Sequence, residues 1–387
     1  MQVDLYNLAP ALELMGVGLL MAGLPFLWFW RRHRHEGNAR RLQALTWLTL
    51  MLTFELVLVG AFTRLTDSGL GCPDWPGCYG SASPLGAAQH INAAQSAMPT
   101  GPVTHGKAWM EMVHRYMATG VGVLIVALTV WTWRVWCRDR GHAVHPLWPA
   151  FTLVWVCLQG AFGALTVTMK LFPAIVTLHL LLAIGLLSLL ALQAVRYAGW
   201  RSVSVPVGLR ALLWLALGLL LAQTALGGWV STNYAVLACS DFPTCQGQWW
   251  PPMNAQGFAL WRELGQTTDG QALPFEALTA IHYVHRSMAW LVLTVLFWAG
   301  WRLRATTGLQ RQGRLLLALL VLQLLTGLSN VVLGWPLLAA VLHTGGASAL
   351  VVVLVWSLAL SRPSATLTTA RPSAHGRVPN ESSRSVA

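Results

Sequence analysis

The chain has 387 residues, of which 55% are apolar and only 10% charged. Soluble domains carry about 25% charged residues, so this is a polytopic membrane protein with no room for a soluble domain of ordinary size. The formal net charge is +12, with lysine only at Lys107 and Lys170; the arginines gather on alternate loops, so the positive-inside rule accounts for the excess and nucleic acid is not an expected partner.

The first apolar run, about 11–30, is long enough to cross a bilayer. Residues Met1 to Pro10 carry an Asp and no Lys or Arg, unlike the basic start of a secretory signal. This run is therefore expected to be a retained helix with its N-terminus outside. The loop from Arg31-Arg32-His33-Arg34-His35 to Arg40-Arg41 is strongly basic and expected to be cytoplasmic. Eight more spans are expected at about 42–63, 109–133, 147–169, 173–195, 210–231, 277–301, 313–334 and 337–360. The loops Arg134–His145, Arg196–Arg210 and Arg302–Arg314, and a tail with Arg362, Arg371, Arg377 and Arg384, fall on one side. The cation-poor loops 64–108 and 232–276 fall on the other. Nine helices result, N-terminus out and C-terminus in, followed by a Ser/Thr/Pro/Arg-rich tail expected to be disordered. The 21 tryptophans suit interfacial belts and packing around flat cofactors.

Each long outer loop carries a Cys pair with the same gap, Cys72 with Cys78 and Cys239 with Cys245. The outside of a bacterial inner membrane is oxidising, so two short disulfides are the simplest reading. The alternative is a metal site, which needs further Cys or His ligands. No convincing set is visible, although His90 and His105 lie in the first loop. Cys137 and Cys157 read as isolated structural thiols.

These landmarks expose an internal repeat. Cys239 follows Cys72 by 167 residues, His285 follows His114 by 171, and His343 follows His179 by 164. Val59-Gly60-Ala61-Phe62-Thr63 answers Leu226-Gly227-Gly228-Trp229-Val230, and Leu158-Gln159-Gly160 is matched to Leu325-Thr326-Gly327. Each copy holds four helices, an even number, so both enter the membrane in the same direction. The expected fold is all-α: two pseudo-symmetric four-helix bundles in parallel repeat, plus one extra N-terminal helix. The expected divisions are 1–41 (extra helix and basic loop), 42–200, 201–361 and the tail 362–387.

His114 and His285 lie on the second helix of each repeat, and His179 and His343 on the fourth. Each is about five to eight residues in from the outer end of its expected span, roughly 8–12 Å deep at 1.5 Å per residue. Two imidazoles at equal depth in one four-helix bundle are what a bis-histidine haem needs. A single intramembrane histidine is often just a hydrogen-bonding group between helices; four in a two-fold pattern favour ligation of iron. Arg115 and Arg286 directly follow their histidines, and either pair with haem propionates or snorkel to the interface. Glu111 and His282 each stand three residues before a histidine, on the same helix face. Only the first copy has a carboxylate there. It either takes up a proton or stabilises a developing cation beside a haem, or it merely charges a helix N-terminus.

Together these residues resemble the haem (heme) A synthase family. Its pattern Gly-Ala-x-Thr-Arg-Leu-Thr-x-Ser-Gly before a Cys/Trp/Pro loop reads here as Gly60 to Gly69 and then Cys72 to Cys78. Its Glu-x-x-His-Arg reads as Glu111 to Arg115, and its two lone histidines with a second His-Arg between them read as His179, His285-Arg286 and His343. The resemblance runs from about residue 55 to 350, and 11–30 departs from it as an added helix. It implies oxidation of the C8 methyl of haem O to a formyl group, giving haem A for cytochrome c oxidase. It implies Glu111 as the catalytic carboxylate beside haem O ligated by His114 and His179, with a resident haem b on His285 and His343. It further implies a bacterial inner membrane, a haem O synthase (protohaem farnesyltransferase) upstream, and cytochrome c oxidase assembly factors as partners. The Cys pairs match its bacterial members. Whether the methyl is oxidised through a benzylic-type cation or by iron–oxygen hydroxylation is open at this level. Two other classes fit four histidines: a dihaem b-type cytochrome for quinol-linked electron transfer, and a haem transporter or insertion chaperone. A haem prenyltransferase fits poorly, because the cytoplasmic loops lack the Asp-rich motifs that hold a magnesium diphosphate.

Overall fold

A computed structural model describes residues 9–139 and 145–363. The expectations for Met1 to Leu8, for residues 140–144 of the basic loop Arg134–His145, and for the tail beyond Pro363, including Arg371, Arg377 and Arg384, fall outside the described residues. Nine described helices are long and apolar enough to cross a membrane: α1 (Ala9–His33), α2 (Asn38–Leu65), α4 (His105–Arg138), α5 (Leu147–Thr168), α6 (Pro173–Tyr197), α7 (Val207–Thr232), α8 (Phe275–Arg304), α9 (Gln310–Val332) and α10 (Leu337–Leu360). The chain is an all-α, multi-pass membrane protein. Most helices run a few residues past the expected spans, because an α-helix can continue once its apolar stretch has left the hydrocarbon layer. Thr104 starts α4 by accepting the Lys107 amide at 3.3 Å, and Pro173 opens α6 where a missing N–H costs nothing. The periodicity did not reveal the polar loop helix α3 (Ala88–Ala97), nor the parallel pairing of β1 (Val203–Val205) with β2 (Ser361–Pro363).

Helices α2, α4, α5 and α6 pack as one bundle and α7, α8, α9 and α10 as another. The bundles meet where α6 and α10 touch, with α2 against α10 and α6 against α7. Exchanging the two bundles maps that set of contacts onto itself, as a pseudo-two-fold axis between α6 and α10 requires. The repeat extends to backbone conformation. Left-handed residues recur at Asp67 and Tyr234, at Tyr79-Gly80 and Gln246-Gly247, and at Lys170-Leu171 and Gly334-Trp335. Both Cys loops contain a cis proline peptide, Trp75–Pro76 and Phe242–Pro243.

The apolar core lies toward the end away from the Cys loops. There Leu42, Leu45, Leu128, Leu190, Leu213, Leu303, Leu316 and Leu354 are buried in one continuous cluster. Toward the Cys-loop end the helices enclose a cavity instead. Helix α1 has no counterpart in the second bundle. It lies along α4, and its Leu14, Met15 and Leu19 wall the cavity.

The α1–α4 contact depends on a small residue, as membrane helix interfaces commonly do. A Cβ on Gly18 would stand 2.4 Å from Thr119 Cγ2 and 3.2 Å from the Thr119 backbone. Gly18→Leu is expected to push α1 off α4, costing about 1–3 kcal/mol and lowering the thermal midpoint of the detergent-solubilised protein. An unchanged midpoint in a scanning melt would show that the contact contributes nothing.

Candidate functional site

The cavity has a volume of about 1340 Å³ and is lined from both bundles. Pockets for single small ligands run to roughly 1,000 Å³, so there is room for more than one large flat molecule. Glu111, His114, His179, His285 and His343 all line it. The first bundle contributes His114 and His179 to this wall, and the second contributes His285 and His343. His114 and His285 stand nine and ten residues after the first residue of their helices, and His179 and His343 six. Helices α4 and α8 start farther out than their apolar runs suggest, which reconciles these counts with one shared chamber.

Each histidine rests against a glycine of the preceding long helix. A Cβ would come 3.0 Å from the His114 ring at Gly60, 3.2 Å from His179 at Gly163, 3.0 Å from His285 at Gly227 and 3.1 Å from His343 at Gly327. A side chain at any of these positions would require the facing ring to give by a few tenths of an ångström. This geometry corrects one alignment made from sequence: Gly163, not Gly160, is the partner of Gly327, and Gln159 answers Gln323. Glutamines on the same helices reach the histidines too. The Gln223 amide nitrogen donates to the His285 carbonyl at 3.0 Å and lies 3.1 Å from its Nδ1. Gln323 donates to the His343 carbonyl at 2.9 Å, and Gln159 lies 3.4 Å from His179 Nε2. These glutamines do carry a sequence signal, the spacing Gln-x-x-x-Gly before three of the four histidines.

Glu111 and His282 hold equivalent positions and make equivalent bonds. The Cys72 amide donates to Glu111 Oε2 at 2.8 Å, and the Cys239 amide donates to His282 Nδ1 at 3.2 Å. The following arginines also correspond. Arg115 donates to the carbonyls of Asp74, Pro76 and Gly77, and pairs through Nη2 with Glu111 Oε1. Arg286 donates to the carbonyls of Pro243 and Thr244, while its Nη1 is buried without a partner. Arg115 therefore does not snorkel; it is only 9% exposed and its terminal nitrogens are engaged by the loop and by Glu111. Glu111 is 4% exposed and lies two turns inside α4, so it does not act as a charge on a helix N-terminus.

Both Cys loops are closed by disulfides, Cys72–Cys78 and Cys239–Cys245, with Cα separations of 4.8 and 4.7 Å. The histidines considered for a metal site in the first loop are engaged elsewhere: His90 stacks on Tyr79 at 5.3 Å and His105 bonds Asn92 at 2.7 Å. Cys137 and Cys157 are exposed, and Cys157 lines the cavity, so neither is a thiol locked in the core. Inside each loop one carboxylate organises the turn. Asp74 accepts the Tyr79 and Gly80 amides, and Asp241 accepts the Gln246 and Gly247 amides and the Thr244 hydroxyl. In the second loop the Thr244 hydroxyl, with the Gly247 and Gln246 amides, holds the Asp241 carboxyl down to about 2 from 3.8. A lowered folded value stabilises the loop fully above pH 3.8, and that contribution fades as pH falls toward 2. Amide exchange at Gln246 and Gly247, corrected for intrinsic rate, should therefore be flat from pH 7 to 4 and rise below; Asp241→Asn should abolish the step.

Comparison with known proteins agrees with this architecture. Residues 43–355 match the family described as cytochrome oxidase assembly protein. The chain is 41% identical over 318 residues to the heme A synthase of Shewanella oneidensis strain MR-1, covering 80% of this chain and 94% of that protein. It is 26% identical to the heme A synthase of Halalkalibacterium halodurans, covering 79% and 91%, and 28% identical to that of Bradyrhizobium sp. strain ORS 278, covering 78% and 86%. The matched segment starts after α1, leaving that helix outside the shared core. With two matched bundles, paired histidines in one cavity and relatives at this likeness, the chain belongs to the haem A synthase family of cytochrome oxidase assembly proteins.

Proposed function

We propose that this chain is a haem A synthase, an oxidoreductase that converts the C8 methyl of haem O to a formyl group. The observation that carries the reading is a break in the repeated contacts at the cavity wall: a buried carboxylate at Glu111 where the second bundle has the neutral ring of His282. In this reading residues 42–200 hold the substrate between His114 and His179, and residues 201–361 hold a resident haem b between His285 and His343. The residues fit such groups. Four imidazoles line a chamber of sufficient size, glycines let them lie against their neighbours, and the buried Nδ1 of His179, Oε1 of Gln159 and Oδ1 of Asn330 lack partners. Arg286, with an unpartnered Nη1, has donor capacity for a propionate; Arg115 reaches one only by sharing its present bonds.

Glu111 does the charge work. Its carboxylate is fixed at the cavity wall by the Cys72 amide and Arg115. A pre-oriented anion in an apolar chamber stabilises positive charge developing at an adjacent substrate carbon without reorganising, and it accepts the proton that leaves. Turning a methyl into a formyl group takes up one oxygen atom, here from water, and releases four protons and four electrons. A haem held by His285 and His343 would supply the one-electron carrier that passes the electrons singly to an external acceptor. The aliphatic walls, including Leu14, Met15 and Leu19 of α1, keep the chamber apolar, which strengthens the attraction of Glu111 for that positive charge.

This reading also sets the orientation. The Cys loops face the oxidising side of a bacterial inner membrane and the basic loops face the cytoplasm. A haem O synthase delivers the substrate, and cytochrome c oxidase assembly factors receive the product.

The test is Glu111→Gln, which keeps a hydrogen-bonding side chain of the same size. It should bind haem O with bis-histidine absorption intact, while haem A formation falls by at least about 100-fold. Haem A made at the normal rate by this variant would remove Glu111 from the reaction.

A further inference from the structure

The two pairs of histidines are not held alike. Thr326 stands just before Gly327 on α9 and reaches His343. Its hydroxyl donates its proton to the Leu322 carbonyl at 2.7 Å, so toward His343 Nδ1, 3.0 Å away, it acts as the acceptor. The ring proton is thereby kept on Nδ1, and Nε2 keeps its lone pair. The matching residue before Gly163 on α5 is Phe162, which accepts nothing. His179 Nδ1 is accordingly buried without a partner, and its Nε2 faces the Gln159 amide instead. The other histidine of each pair differs in how its backbone is held. Gln223, four residues before Gly227, donates from its amide nitrogen to the His285 carbonyl at 3.0 Å, tying the backbone that carries the ring to α7. The matching residue, four before Gly60, is Leu56, and among the described residues no hydrogen bond reaches the His114 ring.

We propose that Thr326 and Gln223 are positioning residues that fix His343 and His285 for a permanently held haem, and that Phe162 and Leu56 in their places leave His179 and His114 free to release and rebind one. The inference rests on the functional reading above. At His343 the physical basis is that an acceptor for the Nδ1 proton of a ligating imidazole fixes the ring's tautomer and orientation and makes it a stronger donor to iron; at His285 the Gln223 bond instead fixes the backbone from which the ring projects. A substrate that must leave as product is served by the opposite arrangement. Among the described residues neither His179 nor His114 has an acceptor for an Nδ1 proton, so a ligand bond that must be broken at each turnover is not reinforced.

The test uses the full-length protein loaded with its pigments in detergent. Excess apomyoglobin is added as a haem acceptor, and the transferred pigment is identified over time by chromatography. In the wild-type protein haem O and haem A should leave well before haem b. Thr326→Val combined with Gln223→Leu should speed haem b loss on the order of 10- to 100-fold. It should also raise the reduction potential of that haem, because the weaker donor favours the ferric state less; Thr326→Ser should restore the potential. The reciprocal Leu56→Gln should slow the loss of haem O. Haem b leaving the double variant at the wild-type rate, with an unchanged potential, overturns the proposal. A wild-type protein that carries only one kind of haem overturns the functional reading beneath it.

Discussion

A carboxylate inside an apolar bundle costs several kcal/mol unless its charge is compensated, and much of the first bundle follows from how Glu111 meets that requirement. Arg115, one turn further along α4, pairs with one oxygen, and the Cys72 amide takes the other. Arg115 spends its remaining donors on the carbonyls of Asp74, Pro76 and Gly77. The disulfide loop, the helix and the cavity wall thus become one unit. The Cys72–Cys78 bridge keeps those carbonyls converging on a single guanidinium, which makes the loop part of the site rather than a cover over it.

The second bundle shows what the same scaffold needs without the anion. His282 accepts the Cys239 amide as Glu111 accepts that of Cys72, yet its neutral ring calls for no counter-ion. Arg286 then reaches only two loop carbonyls and keeps a buried nitrogen unpaired. The repeat gives two bundles of one design around a shared cavity, down to the left-handed turns after α2 and α7. A few side chains then separate them: Glu111 against His282, Leu56 against Gln223, and Phe162 against Thr326. In the proposed division of labour the first member of each pair belongs to the bundle where chemistry and exchange occur.

The spans, the repeat and the four histidines were legible in the sequence because each rests on a strong local signal: long apolar runs, fixed Cys spacing, and ionisable residues where hydrocarbon should be. The partners of those residues were not. That Arg115 serves Glu111 and a loop some 40 residues away depends on how that loop folds back over α4, which no local pattern encodes. The glycines facing the histidines were hidden among helix glycines of ordinary appearance. A three-residue slip in aligning Gly160 with Gly327 concealed the correspondence of Gln159 with Gln323. The polar helix α3 and the strand pair β1–β2 escaped notice because neither carries an apolar period.

The central claim is that one bundle transforms a haem while the other keeps one. The most direct measurement is to express the chain in a host that makes haem O but not haem A, purify it in detergent, and identify the extracted pigments by chromatography and mass. The account predicts haem A together with haem b in the same preparation. Haem b alone, with bis-histidine absorption and no haem A, would contradict it and point to an electron-transfer cytochrome.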